Sequence, residues 1–381
     1  MTAFSIAAQP GGSPPPIAPL IGIQYLRAIG AVLIAYYHNV NQIPAYAPYF
    51  TRYFLGGIHL TNGVDLFFVV SGFIMLVTSR KATPGDFLVR RVIRIAPLYW
   101  ALTLLIAGLV LVRPELFRST VLTAQYLTKS LLFVPYKVNG YFFPLLVPGW
   151  SLNFEMFFYL AFALVLFAPH RRRVTIMGLF FLAFYLLGIW ILHSIDPTIH
   201  GNSVLYFYAS LRIFEFWAGM LVADLYLRGY LKFSPLIGWP LFAVSFVALL
   251  WGLPLDLRPG SSAELLLGSL LPSVTLLLAA VSLENSSGLP KFSWLTLLGD
   301  ASYSLYLTHI FSLGIARLLW AKAGLERESI ALVAAYAVFA MALAVSIAVV
   351  TYRYVENPTH TRLLAWYRRW KSALASRLQT T

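Results

Sequence analysis

The sequence predicts an all-α, polytopic integral membrane protein with about ten transmembrane helices and both termini in the cytoplasm, and three observations lead there. Of its 381 residues, 59% are hydrophobic and only 11% charged, against roughly 25% charged in soluble domains; mean hydropathy is +0.75. Apolar stretches of about 20 residues, the length that crosses a bilayer, recur along the chain. The Lys and Arg residues between them gather in alternate connections, as cytoplasmic loops do.

In chain order, residues 1–19 carry Gly11-Gly12 and Pro14-Pro15-Pro16 and no charge, which predicts a flexible tail without the basic start of a signal peptide. Ten spans follow, near 20–40, 62–79, 95–112, 151–169, 174–193, 204–227, 236–253, 264–283, 299–319 and 330–354. Arg80, Lys81, Arg90, Arg91 and Arg94 lie between spans two and three, His170 to Arg173 between four and five, and Arg228 and Lys232 between six and seven. Lys291 lies between eight and nine, and Arg362, Arg368, Arg369, Lys371 and Arg377 follow span ten. All fall on one side if both termini are cytoplasmic, and Arg171 to Arg173 read as a topology signal. The stretch 113–150 fits no span, and 119–134 is apolar enough to be interfacial or re-entrant. Residues 359–381, with Leu363, Leu364, Trp366 and Trp370 among basic residues, predict an amphipathic cytoplasmic tail on the inner surface. Between the two tails, 20–358 forms one transmembrane domain.

Composition narrows the function. The net charge of +14 first reports orientation, so no nucleic-acid partner is expected; the lipid bilayer is the expected surroundings. Without cysteine, neither disulfides nor a thiol nucleophile are available. No metal is expected.

Ionisable residues in a span are costly and mark function by default. Arg27 and His38 stand eleven positions apart in the first span, about three helical turns, so they share a face about 16 Å apart along the axis. Asp65 opens span two and Glu155 lies near the start of span four, at an outer depth comparable to His38. Arg27, Arg90, Arg91 and Arg94 converge on the inner half. The sequence thus predicts an inner basic cluster and an outer His/carboxylate cluster. Guanidinium forks bind phosphate oxygens bidentately, and a His beside a carboxylate is a general base. Arg212, Glu215 and His309 are further inward-facing candidates, with Ser302, Tyr303, Ser304 and Tyr306 around His309. Each has a plainer role open to it. Arg80, Arg90 and Arg91 can set topology, Arg212 and Glu215 can form a structural ion pair, and Asp65 and Glu155 can cap helix starts. Ser71-Gly72 can be a close packing point, His309 a hydrogen-bonded core histidine, and Tyr36, Tyr37, Trp150 and Trp320 an interfacial belt.

At these residues the chain resembles the membrane acyltransferase-3 family. The similar segments are "GIQYLRAIGAVLIAYYHN" with Arg27-x10-His38, "GVDLFFVVSGFIM" (63–75), "FLVRRVIRIAPLYW" (87–100), "PGWSLNFEMFFYL" (148–160), "LGDASYSLYLTHI" (298–310) and "YRYVENP" (352–358). They fall in order across nearly the whole chain, and the opening span looks most like the branch that acetylates exopolysaccharides. The resemblance implies a ten-span enzyme moving an acetyl group from cytoplasmic acetyl-CoA to a hydroxyl of a polysaccharide or lipid-linked oligosaccharide. His38 carries over as catalytic histidine and Arg27 as its motif partner. Arg91 and Arg94 carry over as donor-site arginines, with Arg90, Ser71 and Tyr99 grouped beside them. Glu155 matches the acidic position after the Trp-Ser motif, and Glu155 or Asp65 would orient the imidazole. Asn357 replaces the arginine many members carry after the glutamate, so no role is assigned there. The extracytoplasmic esterase-like domain that some members carry is not expected here, and acceptor capture is then expected of the membrane domain or a partner protein. A proton-coupled exporter of a glycan precursor, and an acyltransferase using another donor such as succinyl-CoA or a non-glycan acceptor, are the alternatives.

Overall fold

The computed structural model describes residues 20–41, 43, 60–116, 122–138, 140–194, 203–251, 261–327 and 329–379; the expected N-terminal tail lies outside them. The described residues are all-helical, with no strand beyond one isolated bridge between Val138 and Tyr141. In chain order the helices are α1 Ile21–Asn41, α2 Gly63–Thr78, α3 Pro84–Val112, α4 Ala124–Leu131, α5 Gly149–Val165, α6 Arg173–Ser194, α7 Val204–Tyr208, α8 Ile213–Leu227 and α9 Pro235–Trp251. They continue with α10 Leu271–Ser286, α11 Ser293–Asp300, α12 Ser302–Lys322, α13 Ile330–Thr351 and α14 Asn357–Gln379. A π-helical segment, Glu264–Leu270, runs into α10, and another, Tyr352–Glu356, joins α13 to α14.

Each of the ten apolar stretches holds a helix, and among the described residues five helical segments are long and apolar enough to cross a membrane: Pro84–Val112, His170–Ser194, Glu264–Ser286, Ser302–Lys322 and Ile330–Leu374. Apolar side chains such as Leu111, Leu164, Leu186 and Val244 stay more than half exposed on helix faces, which suits a protein surrounded by lipid. The apolar helices α2, α5 and α9 have only 16 or 17 residues, about 24–26 Å at 1.5 Å per residue, short of the ~30 Å hydrocarbon layer. Among the described residues, the stretch 113–150 holds a 3-10 turn at Pro114–Leu116, the amphipathic two-turn helix α4 and the first residues of α5. The tail is helical from Asn357 and continues α13 through the π-helical segment. It is tied to the start of α3, where Asp86 binds Tyr367 Oη at 2.6 Å and pairs with Lys371.

Small residues set the tightest packing. Gly72 of α2 faces the carbonyl of Phe216, and Gly219 of α8 faces the carbonyl of Val69, so a Cβ at either position would overlap the partner's backbone. Backbones this close are the usual reason for small residues between membrane helices. Asp65 pairs with Arg212 and Phe73 meets Tyr226 at 5.6 Å, so residue numbers rise together and α2 and α8 run parallel. α1 crosses α2 antiparallel at Gly30 and Gly63. Arg173 is buried, and its guanidinium donates to the carbonyls of Ser79 at 2.9 Å, Ala168 at 3.1 Å and Leu166 at 3.3 Å. It therefore fastens the C-terminal ends of α2 and α5 as well as adding to the basic loop, a role beyond the topology signal expected of it.

Candidate active site

Three of the four arginines expected to converge, Arg27, Arg91 and Arg94, meet at one cavity. A cavity of about 210 Å³ is lined by Arg27 of α1, Ser71 of α2, Arg91 and Arg94 of α3, Ser151, Glu155 and Tyr159 of α5, and Tyr303 and Tyr306 of α12. Arg91 and Arg94 are one turn apart on α3 and share its cavity-facing side. Arg91 lies over Phe87 and Tyr159, at 5.4 and 5.9 Å, and donates to Thr78 Oγ1 at 3.3 Å. Arg94 lies over Tyr303 at 5.8 Å and pairs with Glu356 at 2.5 Å. The π-helical turn presents Glu356, and its other oxygen accepts from Ser304 Oγ at 2.5 Å. Arg27 donates to Gln24 Oε1 at 3.1 Å, with Arg94 as a neighbouring like charge and Glu356 and Asp300 as opposite ones. Three guanidinium groups line one small cavity whose other walls are largely apolar, an arrangement that can hold an oxyanion. Among the described residues no group of three or more His, Asp or Glu side chains could hold a metal ion.

Two grouped residues fall outside this cavity. Arg90 is exposed and does not line it. Tyr99 is buried further along α3, where its hydroxyl donates to the Ser130 carbonyl at 3.0 Å and its ring stacks on Phe133 at 4.7 Å. It anchors the connection after α4. Ser71 does line the cavity, and its hydroxyl donates to Glu155 at 2.6 Å while Gly72, the next residue, packs on α8. The serine-glycine pair thus serves both the site and the packing.

The outer cluster is not assembled as expected. Glu155 belongs to the inner cavity, its second oxygen buried without a partner, and Asp65 pairs with Arg212. Neither carboxylate is placed to orient His38. The cause is the depth at which helices start. α2 begins at Gly63 against Gly30 and Ile34, several residues short of His38 along α1, and Asp65 lies two residues further from it. α5 begins beside Tyr306, which bonds Ser151 at 2.6 Å and the Pro148 carbonyl at 2.9 Å, so Glu155 sits about 6–9 Å deeper.

What His38 meets is a second imidazole. Its ring centroid is 5.0 Å from that of His309, with the planes 32° apart. His309 is fully buried, its Nδ1 3.2 Å from the Leu305 carbonyl. Tyr303, Tyr306 and His309 recur every three residues on α12, so one helix face leads from the arginines past the Tyr306–Ser151 hydrogen bond to the histidine pair. The composition of that face was visible in the sequence; the pairing across to α1 was not.

A second cavity, about 1020 Å³, opens at the N-terminal ends of α2 and α5. Its lining includes Asp65, Arg212, Phe142, Trp150, Tyr185 and Tyr206. Arg212 lies over the Trp150 ring at 5.7 Å and is 3.9 Å from Glu215, itself buried with both oxygens unbonded. Arg212 and Glu215 are therefore a loose pair beside the tighter Asp65–Arg212 bridge, and Trp150 belongs to a cavity wall. This wall separates the two cavities: Trp150 and Asp65 line the larger one, Ser151 and Val64 the smaller.

A family profile described as an acyltransferase domain matches residues 20–353. The chain is 39% identical over 335 residues, 84% of its own length and 96% of the relative's, to the exopolysaccharide production protein ExoZ of Rhizobium meliloti (strain 1021). No solved structure matches it.

Proposed function

This chain belongs to the acyltransferase-domain family, and from that premise we propose that it is a membrane O-acetyltransferase, moving the acetyl group of cytoplasmic acetyl-CoA to a hydroxyl of an exported polysaccharide. The observation that carries the proposal is the α12 face of Tyr303, Tyr306 and His309, which joins a cavity ringed by three arginines to the imidazole of His38. The relative's name, an exopolysaccharide production protein, supports the acceptor class.

With ten crossings and both termini cytoplasmic, the arginine end of the cavity faces the cytoplasm. The parallel run of α2 and α8 favours that topology, because the second and sixth crossings must point the same way. Arg91 and Arg94, with Arg27, hold the donor's phosphates, and the acyl arm extends about 16 Å along α1 towards His38. The Tyr306–Ser151 hydrogen bond lies across that path and opens for the thioester to pass. The larger cavity, with aromatic faces for sugar C–H surfaces and polar groups for hydroxyls, receives the glycan from the opposite side.

Two routes fit. In the first, a nitrogen of His38 takes the proton of the sugar hydroxyl as its oxygen attacks the thioester carbonyl, and the CoA thiolate leaves and takes the proton. In the second, His38 first displaces the thiolate and carries the acetyl group itself. Purified protein in lipid nanodiscs, given isotope-labelled acetyl-CoA and the producing cell's glycan, is expected to release CoA and yield glycan heavier by one labelled acetyl group. A transporter would consume no acetyl-CoA, and label confined to another acyl donor would assign a different acyltransferase.

A further inference from the structure

We propose that His309 is a second catalytic group, the base that takes the acceptor hydroxyl's proton, and that His38 and His309 work as a pair; this rests on the acyl-transfer reading above. Three observations converge on it. First, among the described residues neither expected carboxylate is placed to serve His38, since Glu155 is bound to Ser71 and Asp65 to Arg212, and the titratable group in ring contact with it from another helix is the imidazole of His309 at 5.0 Å. Second, the tautomer of His309 is set by its backbone: Nδ1 donates to the Leu305 carbonyl, which leaves Nε2 with the free lone pair. Third, that Nε2 is buried and has no hydrogen-bond partner. A fully buried imidazole acceptor without a partner is uncommon and calls for an explanation. A substrate hydroxyl supplies one.

The bonding follows from the two rings. In direct transfer, His309 takes the place of His38 as base: the sugar O–H gives its proton to His309 Nε2 as the oxygen bonds to the thioester carbonyl carbon, while a His38 N–H donates to the carbonyl oxygen as it gains charge. The C–S bond breaks, and the departing CoA thiolate recovers that proton from His309. In the two-step route, His38 attacks the thioester, the C–S bond breaks, and the thiolate takes the proton lost by the acylated imidazole. The sugar oxygen then attacks the acetyl-His38 carbonyl while His309 Nε2 accepts the hydroxyl proton. The C–N bond breaks, and His309 returns the proton to the departing nitrogen of His38. In both, His309 ends as it began.

A fully buried His309 also has a packing role, so the test uses the substitution that preserves packing. His309→Asn keeps a side-chain N–H where Nδ1 stands, able to donate to Leu305, but removes Nε2. Turnover is expected to fall about 10²–10⁴-fold, the usual worth of a general base, with KM for acetyl-CoA unchanged, because the arginine cavity is untouched. If the two-step route operates, intact-protein mass spectrometry of this variant after acetyl-CoA addition detects acetylated His38 that persists when glycan is added. His309→Ala, which also loses the Leu305 bond, is expected to lower stability and turnover together. Asn restoring turnover to within about threefold of wild type would mean that His309 only packs, and the proposal would be wrong. If wild-type protein transfers no acetyl group, the acyltransfer reading itself fails; if wild type and His309→Asn transfer equally while His38→Ala does not, only the histidine pair fails.

Discussion

Glu356→Ala should destabilise the fold by about 3 kcal/mol, and it should add almost nothing further in a protein that already lacks Arg94. The Glu356 side chain is 1% exposed; one oxygen is 2.5 Å from Arg94 Nη1 and the other accepts from Ser304 at 2.5 Å. Removing one partner of a buried pair costs about 3–5 kcal/mol, because the remaining charge is left uncompensated in a low-dielectric setting. Arg94 is 26% exposed towards the cavity, so water screens its charge in part and the lower end of that range applies. Arg94→Met should cost a similar amount by stranding the carboxylate. The double variant leaves neither charge behind, so its cost should match one single substitution instead of the sum, a coupling of about 3 kcal/mol. Denaturant unfolding of the four proteins in one detergent measures it. Costs that add to within about 0.5 kcal/mol would refute the pairing and the placement of Glu356 by the π-helical turn.

Two further expectations follow from the same geometry. Gly219→Ala forces α8 away from the Val69 carbonyl, an overpacking of about 1–3 kcal/mol that should lower the thermal midpoint, whereas Gly314→Ala, which meets nothing within 4 Å, should be neutral; equal effects at the two glycines would contradict the α2–α8 contact. In the proposed donor site, Arg91→Ala would remove one charge-assisted phosphate contact, about 1.5–3 kcal/mol, so steady-state kinetics should show KM for acetyl-CoA rising about 10–100-fold at nearly constant kcat, and the reverse pattern would remove Arg91 from that site.

Much of the architecture can be read from the chain because apolar length and loop charge are local properties: every apolar stretch became helical, and Arg27, Arg91 and Arg94 meet in one cavity as their positions on α1 and α3 require. The depth at which a helix begins is not local. Asp65 and Glu155 each stand near the first turn of a helix and look equivalent to His38 in height, yet the Gly30–Gly63 crossing and the Tyr306–Pro148 bond set those starts deeper. Motif alone places Tyr99 beside Arg91 and Arg94, whereas its hydroxyl turns to Ser130. Glu356 carries a weaker signal, an acid ending an apolar run beside arginines, because Asn357 interrupts the familiar pattern. His309 was visible as a candidate, but a contact across 271 positions of sequence leaves no trace in spacing or periodicity.

The most direct measurement is acetyl transfer by His38→Ala in nanodiscs, compared with wild type at the same donor and glycan concentrations. The variant should insert, fold and bind acetyl-CoA as wild type does, yet yield no acetylated glycan. Wild-type rates of glycan acetylation from a protein without that imidazole would contradict the account at its centre.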